Sequence, residues 1–181
     1  MLATCPKEAR LFVANHIRKW GGEKVTLRGS SVRFVATPSL FYRSHLYLST
    51  ASTLLWVLEE FSCYSIRDLE KKISQIPWPD YLLVNRSFCV DAVVMGKPKN
   101  ALINPPHLRH VIEKKIQGTF GEGAPKIDHE EPHVTLVCFF ERNQITLSFL
   151  TSGKSLHKRG YRVPGHPAPI KENLAALLLD L

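Results

Sequence analysis

Helix and strand patterns alternate in a fixed order along the first third of the chain. A helix is predicted between Pro6 and Gly21-Gly22, because five apolar residues recur at helical spacing: Ala9, Phe12, Val13, Ile17 and Trp20. Two short β-rich runs, 25–28 and 32–35, flank Gly29-Ser-Ser and predict a hairpin. A second helix is predicted over 38–48 and a strand over 53–63. With the short apolar start counted as a strand, the order is β-α-β-β-α-β. This order is typical of the split-βαβ, ferredoxin-like fold.

The middle of the chain predicts a second α/β unit. Ser65 and Asp68 have the spacing of a capping box, which predicts a helix start. A strand over 87–93 and a helix starting near Pro105 follow, and then two strands around Glu141-Arg-Asn143, over 133–140 and 144–150. In the last of these strands apolar and hydroxyl residues alternate, so we expect one face to be buried. The predicted fold class is therefore α+β: a ferredoxin-like N-terminal domain followed by an α/β domain.

The last thirty residues differ in kind. Residues 151–169 are rich in glycine and proline, as connectors are, and an apolar helical stripe follows from Pro169 to the end of the chain: Ile170, Leu174, Leu177, Leu178 and Leu181. We expect this helix to pack on a further C-terminal domain or on a partner chain. The alternative is that it packs back on this chain.

Composition narrows the class of protein. The 24 Lys and Arg exceed the 16 Asp and Glu, and the net charge of +8 favours a polyanionic partner such as RNA. The four cysteines lie far apart and none has zinc-ligand spacing, so a reduced cytoplasmic protein with buried thiols is predicted. The start of the chain lacks the apolar region of a signal peptide, and no stretch is long enough for a membrane span.

Asn104-Pro-Pro-His107 resembles the [DN]-P-P-[YFW] motif with which amino-methyltransferases hold the target amine, although His replaces the aromatic residue. The candidate cofactor turn, Gly121-Glu-Gly123, comes after this motif rather than before it. Asparagine is a preferred N-cap, and proline is preferred at the first helical position. We therefore interpret the motif as a helix start, and we predict no catalytic residue.

His129-Glu-Glu-Pro-His133 is interpreted as a solvated loop rather than a metal site, because a loop gives these side chains no common face. Asp91 and Glu113 have no partner at a spacing that suggests acid–base catalysis. No Ser-His-Asp or Cys-His arrangement is evident.

Two basic clusters are the candidate RNA-binding residues. The connector has five cations and no acid between Lys154 and Lys171, with His157 and Tyr161 interleaved. The second cluster is relieved only by Glu113: Lys97, Lys99, Arg109, Lys114 and Lys115. The alternative for both is a solvated charged face. The residues predicted to bind RNA are, in order of preference, Lys154, His157, Lys158, Arg159 and Arg162, then Lys114 and Lys115.

The connector and several other segments resemble one family. Thr151–Arg162 and Ala168–Ala176 resemble the segment before the catalytic domain of bacterial THUMP-containing 23S rRNA guanine-N2 methyltransferases, proteins often labelled N6-adenine-specific DNA methylases. The other matching segments are 29–34, 42–52, 76–80 and 111–116. Ser49 departs from the pattern, since the family usually has Arg there. The resemblance implies a ferredoxin-like domain, an RNA-binding THUMP domain and then a Rossmann-like domain that binds S-adenosylmethionine.

Three parts are expected. A ferredoxin-like domain covers 1–63, and a THUMP core covers 64–152, although the family's boundary would start the THUMP domain near 44. Residues 153–181 form a basic linker and the first helix of an absent methyltransferase domain. The expected function is to position rRNA, with 23S rRNA as the expected target, for that absent domain. No cofactor is expected in this chain, although the intact enzyme would use S-adenosylmethionine. Its expected partners are RNA and a methyltransferase domain in cis or in trans, and no membrane. The alternatives are a non-catalytic adaptor whose apolar C-terminal helix recruits a separate methyltransferase subunit, and a self-sufficient enzyme that uses Asn104.

Overall fold

The computed structural model describes residues 1–96, 103–153, 155, 156, 158, 160 and 170–180. The chain divides into two compact units. The terminal unit comprises residues 1–56 and 151–181, and the central unit comprises residues 57–150. Helices and strands are mixed in both, so the predicted α+β class is confirmed.

The terminal unit is a four-stranded antiparallel sheet with two helices between its strands. Its elements are β1 (Leu2–Thr4), a 3₁₀ turn (Lys7–Ala9), α1 (Arg10–Lys19), β2 (Glu23–Arg28), β3 (Ser31–Val35), α2 (Pro38–Tyr47) and the first residues of β4 (Thr53–Ser62). The strand order is β2-β3-β1-β4, and every neighbouring pair is antiparallel. This is the topology that the β-α-β-β-α-β order predicts, so the ferredoxin-like interpretation is confirmed.

The core of the terminal unit lies where the apolar faces of both helices meet the sheet. Val13, Ile17 and Leu40 are buried against Phe34 of β3. Gly22 follows α1 at a close approach, because a Cβ atom there would collide with the side chain and carbonyl of Ile17. Packing thus requires Gly22, whereas Gly21 is favoured by its φ of 85°.

The segment after the central unit returns to the terminal unit. The amide of Thr151 donates to Leu54 O at 3.0 Å, and the amide of Leu156 donates to Ser52 O at 2.7 Å. The last helix, α5 (Glu172–Leu179), begins after the predicted start at Pro169, which lies outside the described residues. Buried Asn173 donates to Ser52 Oγ at 3.3 Å.

One face of α5 therefore packs back on this chain, through Asn173 and the half-buried Leu177. The remaining leucines of the helix stay exposed: Leu174, Leu178 and Leu179. Ile170, which lies before the helix, is exposed as well. The predicted stripe is thus only partly covered by the residues that the structure describes.

The central unit is a mixed sheet with two helices. Its elements are the rest of β4, α3 (Ile66–Ser74), a 3₁₀ turn (Trp78–Asp80), β5 (Phe88–Met95), α4 (Pro105–Gly118), β6 (Val134–Glu141) and β7 (Gln144–Leu150). The strand order is β4-β7-β6-β5, with β5 and β6 parallel and β6 and β7 antiparallel. The parallel pair is connected through α4, as a parallel pair requires.

Local signals in the sequence place these elements. The capping box forms, with Ser65 Oγ accepting from the Asp68 amide at 3.2 Å and Asp68 Oδ2 accepting from the Ser65 amide at 2.9 Å. Arg142 and Asn143 form a two-residue turn with φ of 50° and 62°, which joins β6 to β7 with the twist that hairpins prefer. No helix within the described ranges is long and apolar enough to cross a bilayer.

Candidate nucleic-acid interface

The basic residues of α4 differ in how far their charge is available. Lys115 Nζ lies 3.6 Å from Glu70 Oε1 of α3, and Arg109 lies 4.0 Å from Asp91. Lys114 is exposed, and no ion pair is found for it among the described residues. Of the two lysines predicted here, Lys115 is thus paired with a carboxylate, whereas Lys114 is exposed without such a pair among the described residues. Lys97 and Lys99 lie outside the described residues.

Only part of the basic connector can be placed. Lys158 is exposed, and its amide donates to Ser155 O at 2.9 Å. Lys171 is exposed directly before α5. The other predicted residues of the connector lie outside the described residues: Lys154, His157, Arg159, Tyr161 and Arg162.

The Asn-Pro-Pro-His motif caps a helix. Asn104 Oδ1 accepts from the His107 amide at 3.0 Å, and Pro105 is the first residue of α4. The helix-start interpretation is confirmed. The side-chain oxygen that would hold a target amine is engaged in this cap, and the glycine turn at Gly121 follows the helix rather than a strand. Within the described ranges, these residues do not fit an S-adenosylmethionine site.

The histidine-containing loop is held by its own hydrogen bonds. Asp128 Oδ1 accepts from the amides of Glu130 and Glu131 at 2.9 and 3.1 Å, and these bonds lower the pKa of the Asp128 carboxyl. His133 Nδ1 lies 2.7 Å from Ser87 Oγ. Among the described residues, no three His, Cys, Asp or Glu side chains are grouped so that they could hold a metal ion.

Glu113 has a structural partner that its position in the sequence does not reveal. Its side chain is buried in α4, and its Oε1 accepts from the amide of Val90 in β5 at 3.1 Å. His129 Nε2 lies 3.8 Å from the same oxygen. The carboxylate thus satisfies a buried amide of an outer strand of the sheet.

The four cysteines are free and buried, as the sequence predicts. Burial raises the pKa of Cys5 and Cys63 to about 11 and that of Cys138 to about 12. These thiols are therefore protonated at neutral pH, which makes them poor nucleophiles.

The structure also reveals cations on α3 that the sequence reasoning missed. Arg67, Lys71 and Lys72 are exposed on the polar side of a helix whose Leu69 and Ile73 are buried. The signal was present, because these cations occupy positions between the apolar residues of the periodic pattern.

The family of the central unit follows from comparison with known proteins. Residues 63–150 match the THUMP domain family. The chain carries a THUMP domain. This match covers nearly all of the central unit, including α3, α4 and the three strands β5, β6 and β7.

Outside the THUMP domain the similarity extends over almost the whole chain. The chain is 32% identical over 178 residues to a ribosomal RNA large subunit methyltransferase K/L of Syntrophotalea carbinolica, covering 98% of this chain and 25% of the relative. It is 31% identical to the K/L protein of Pseudomonas fluorescens, covering 99% of this chain and 24% of the relative. The resemblance to THUMP-containing rRNA methyltransferases is thus confirmed, and the chain spans about a quarter of the length of these relatives.

Solved structures give the same result for the fold. A Listeria monocytogenes protein described as a predicted N6-adenine-specific DNA methylase is 26% identical with a TM-score of 0.85, covering 99% of this chain and 47% of that one. SMU.472, solved with bound SAH, is 26% identical with a TM-score of 0.82, covering 98% and 47%. TrmN from Thermus thermophilus, at 19% identity and a TM-score of 0.74, shares the fold over 99% of this chain and 53% of its own.

Proposed function

We propose that this chain is the RNA-binding part of an S-adenosylmethionine-dependent rRNA guanine-N2 methyltransferase. The observation that carries the proposal is the THUMP domain match at 63–150. In addition, relatives named as rRNA methyltransferases align with nearly the whole length of this chain. The aligned part is the N-terminal quarter of those relatives. The chain would position 23S rRNA, in the cytoplasm, for a catalytic domain that follows it or is supplied separately.

Positioning requires contacts to phosphates, since these fix the register of an RNA without reading its sequence. We assign this role to the connector residues Lys154, His157, Lys158, Arg159 and Arg162, and secondarily to Lys114 and Lys115 on α4. Exposure of Lys158 and Lys114 supports the assignment. Because Lys115 already faces Glu70, it would contribute less than Lys114.

S-adenosylmethionine would supply the methyl group that is transferred to the guanine exocyclic amine. Asn104 and the glycine turn of this chain do not fit that cofactor, for the reason given above. We therefore place the cofactor site in the methyltransferase domain, and we assign residues of this chain to RNA alone.

The test is a titration of the purified chain with fluorescent 23S rRNA fragments at several salt concentrations, with radiolabelled S-adenosylmethionine in parallel. We expect RNA binding that weakens steeply with salt, and no cofactor binding. The double variant R159Q/R162Q should bind more weakly, and the slope of log K against log salt should fall by about 1.4 to 1.8. An unchanged slope would contradict the assignment of these arginines. Cofactor binding by this chain would contradict the placement of the catalytic site.

A second candidate function is an adaptor that recruits a separate methyltransferase subunit. The exposed leucines of α5 favour it, because Leu178 is 60% and Leu179 is 89% exposed. The test is sedimentation of the chain with a separately produced catalytic domain of a K/L relative. L178E/L179E should abolish association, whereas the control L11E, on an equally exposed leucine of α1, should not. Absence of association in the wild-type mixture would exclude this function.

A further inference from the structure

The positive charge of the chain is unevenly divided between its two units. The 24 Lys and Arg divide as 13 in the terminal unit and 11 in the central unit, and the 16 Asp and Glu divide as 4 and 12. The net charge is therefore +9 for the terminal unit and −1 for the central unit, which contains the THUMP match. The net attraction of a polyanion is therefore stronger at the terminal unit than at the central unit.

Part of this unit is free of acidic residues. No Asp or Glu occurs among the 35 residues from Lys24 to Leu58, which include nearly all of β2 and the whole of β3 and α2. Four cations lie in this stretch: Lys24, Arg28, Arg33 and Arg43. A nucleic acid that approaches these elements meets no carboxylate from within the stretch.

Helix α2 exposes an aromatic face in the same stretch. Tyr42, Leu46 and Tyr47 are 67%, 62% and 66% exposed, whereas Leu40 and Ser44 of the same helix are buried. At about 100° per residue, the exposed residues and Arg43 span one continuous sector of about 140°. Two tyrosines flank an arginine on this sector.

Arg43 contacts Trp20, the residue that follows α1. Its guanidinium lies 5.2 Å from the centre of the Trp20 ring, on which His16 also stacks. Arg18 and Lys19 are exposed in the last turn of α1, directly before Trp20. The aromatic face of α2 is therefore bordered by cations.

We infer that the face of α2 formed by Tyr42, Arg43 and Tyr47 binds unpaired RNA, with the tyrosine rings stacking on bases and Arg43 binding a phosphate. Exposed aromatic rings beside cations are the groups with which proteins bind single strands. The charge of the unit favours RNA over a protein partner as the occupant. The inference rests on the proposed RNA-binding function, and it adds a site to the connector and α4 residues assigned above.

The test compares binding of the full chain to a short fluorescent single-stranded RNA and to the duplex of the same sequence. Y42A/Y47A should weaken binding of the single strand by about 30-fold or more, because each of the two lost stacking contacts costs about 5-fold or more. Its salt slope should not change, since no charge is removed. Duplex binding should be nearly unaffected, because paired bases are not available to the rings. Y42F/Y47F should bind like wild type.

Tyr64 provides the matched control, because it is also 67% exposed but lies in the central unit. Y64A should bind the single strand like wild type, and R43Q should lower the salt slope by about 0.7. Normal far-UV circular dichroism of each variant excludes unfolding as the cause of weaker binding.

The outcomes separate the inference from the proposed function. If wild type binds RNA but Y42A/Y47A binds equally well, or if Y64A weakens binding as much, the inference is wrong and the RNA-binding function stands. If Y42A/Y47A dissociates an oligomer without changing RNA affinity, the face is a protein interface and the inference is wrong. If wild type binds neither RNA, both the inference and the proposed function are wrong.

Discussion

Replacing Glu113 with alanine should destabilise the central unit by about 1.5–3 kcal/mol. Strand β5 is an outer strand of the sheet, with β6 as its only neighbouring strand in the described part of the chain. The amide of Val90 donates to Glu113 Oε1 at 3.1 Å, and both residues are buried. A hydrogen bond to a charged group contributes about 1.5–3 kcal/mol, and a buried amide left without an acceptor costs about 1–3 kcal/mol. These two ranges describe the same loss, and they agree on its size.

Two further variants show whether the acceptor or the charge matters. E113Q keeps an oxygen within reach of the amide, and neutral hydrogen bonds are about half as strong as charge-assisted ones, so we expect a loss of only about 1 kcal/mol. E70A removes an ion pair of 3.6 Å at a half-exposed surface, and we expect its effect to be below about 1 kcal/mol. The predicted order of destabilisation is therefore E113A, then E113Q and E70A.

Urea unfolding followed by tryptophan fluorescence and far-UV circular dichroism measures the loss. Hydrogen exchange of the peptide containing 88–95 locates it, since Val90 should lose protection in E113A. Wild-type stability of E113A would refute the reasoning, because the buried amide would then be satisfied some other way. Equal destabilisation in E113A and E113Q would show that the negative charge, rather than the acceptor oxygen, is what β5 requires.

Three other effects should be measurable in the central unit. S65A should lose about 1 kcal/mol in urea unfolding, because it removes the N-cap of α3. The hydrogen bond from Ser65 holds the pKa of Asp68 below its usual value. The contribution of Asp68 to stability is therefore present at neutral pH and is lost as the pH falls through its folded pKa. The stability difference between wild type and D68A should shrink in acid. Cys138, whose pKa burial raises to about 12, should react with Ellman's reagent at pH 8 only after unfolding. W78F should lose about 1–3 kcal/mol in thermal unfolding, because the Trp78 indole donates to Ile73 O at 2.8 Å in a fully buried position.

Most of the secondary structure could be predicted because its signals are local. Ser65 and Asp68 are three residues apart, and Asn104 lies beside the prolines that follow it. All residues that form each cap are therefore neighbours in the sequence. The glycine pair after α1 and the turn before β7 are similarly self-contained. Local geometry and the final fold agree at these positions, and such consistency makes an element predictable.

The features that the sequence does not reveal depend on contacts between residues that are distant in the chain. Glu113 and Val90 are 23 positions apart and meet only because α4 packs on β5, so their spacing in the sequence does not reveal this hydrogen bond. Alternation predicts one buried face for β7, and Ser148, on the other face, is buried as well. Periodicity reports which residues share a face, but it does not report what covers that face.

The candidate site shows the same limit. Lys114 and Lys115 are neighbours with identical chemistry, and the sequence ranked them together. The structure separates them, because Glu70 of α3 reaches only Lys115. The availability of a surface cation depends on the helix beside it, which sequence spacing does not contain.

The distribution of charge between the two units indicates where the affinity for RNA phosphates comes from. The THUMP domain belongs to a unit with a net charge of −1, whereas the terminal unit carries +9. Affinity for phosphates and its dependence on salt scale with the cations that the RNA contacts. We therefore expect substitutions that remove exposed cations of the terminal unit to lower the affinity and the salt slope for all RNAs. Exposed substitutions in the THUMP domain should have this effect only at cations that contact phosphate, Lys114 first, because the acidic residues of its unit offset the other positive charges.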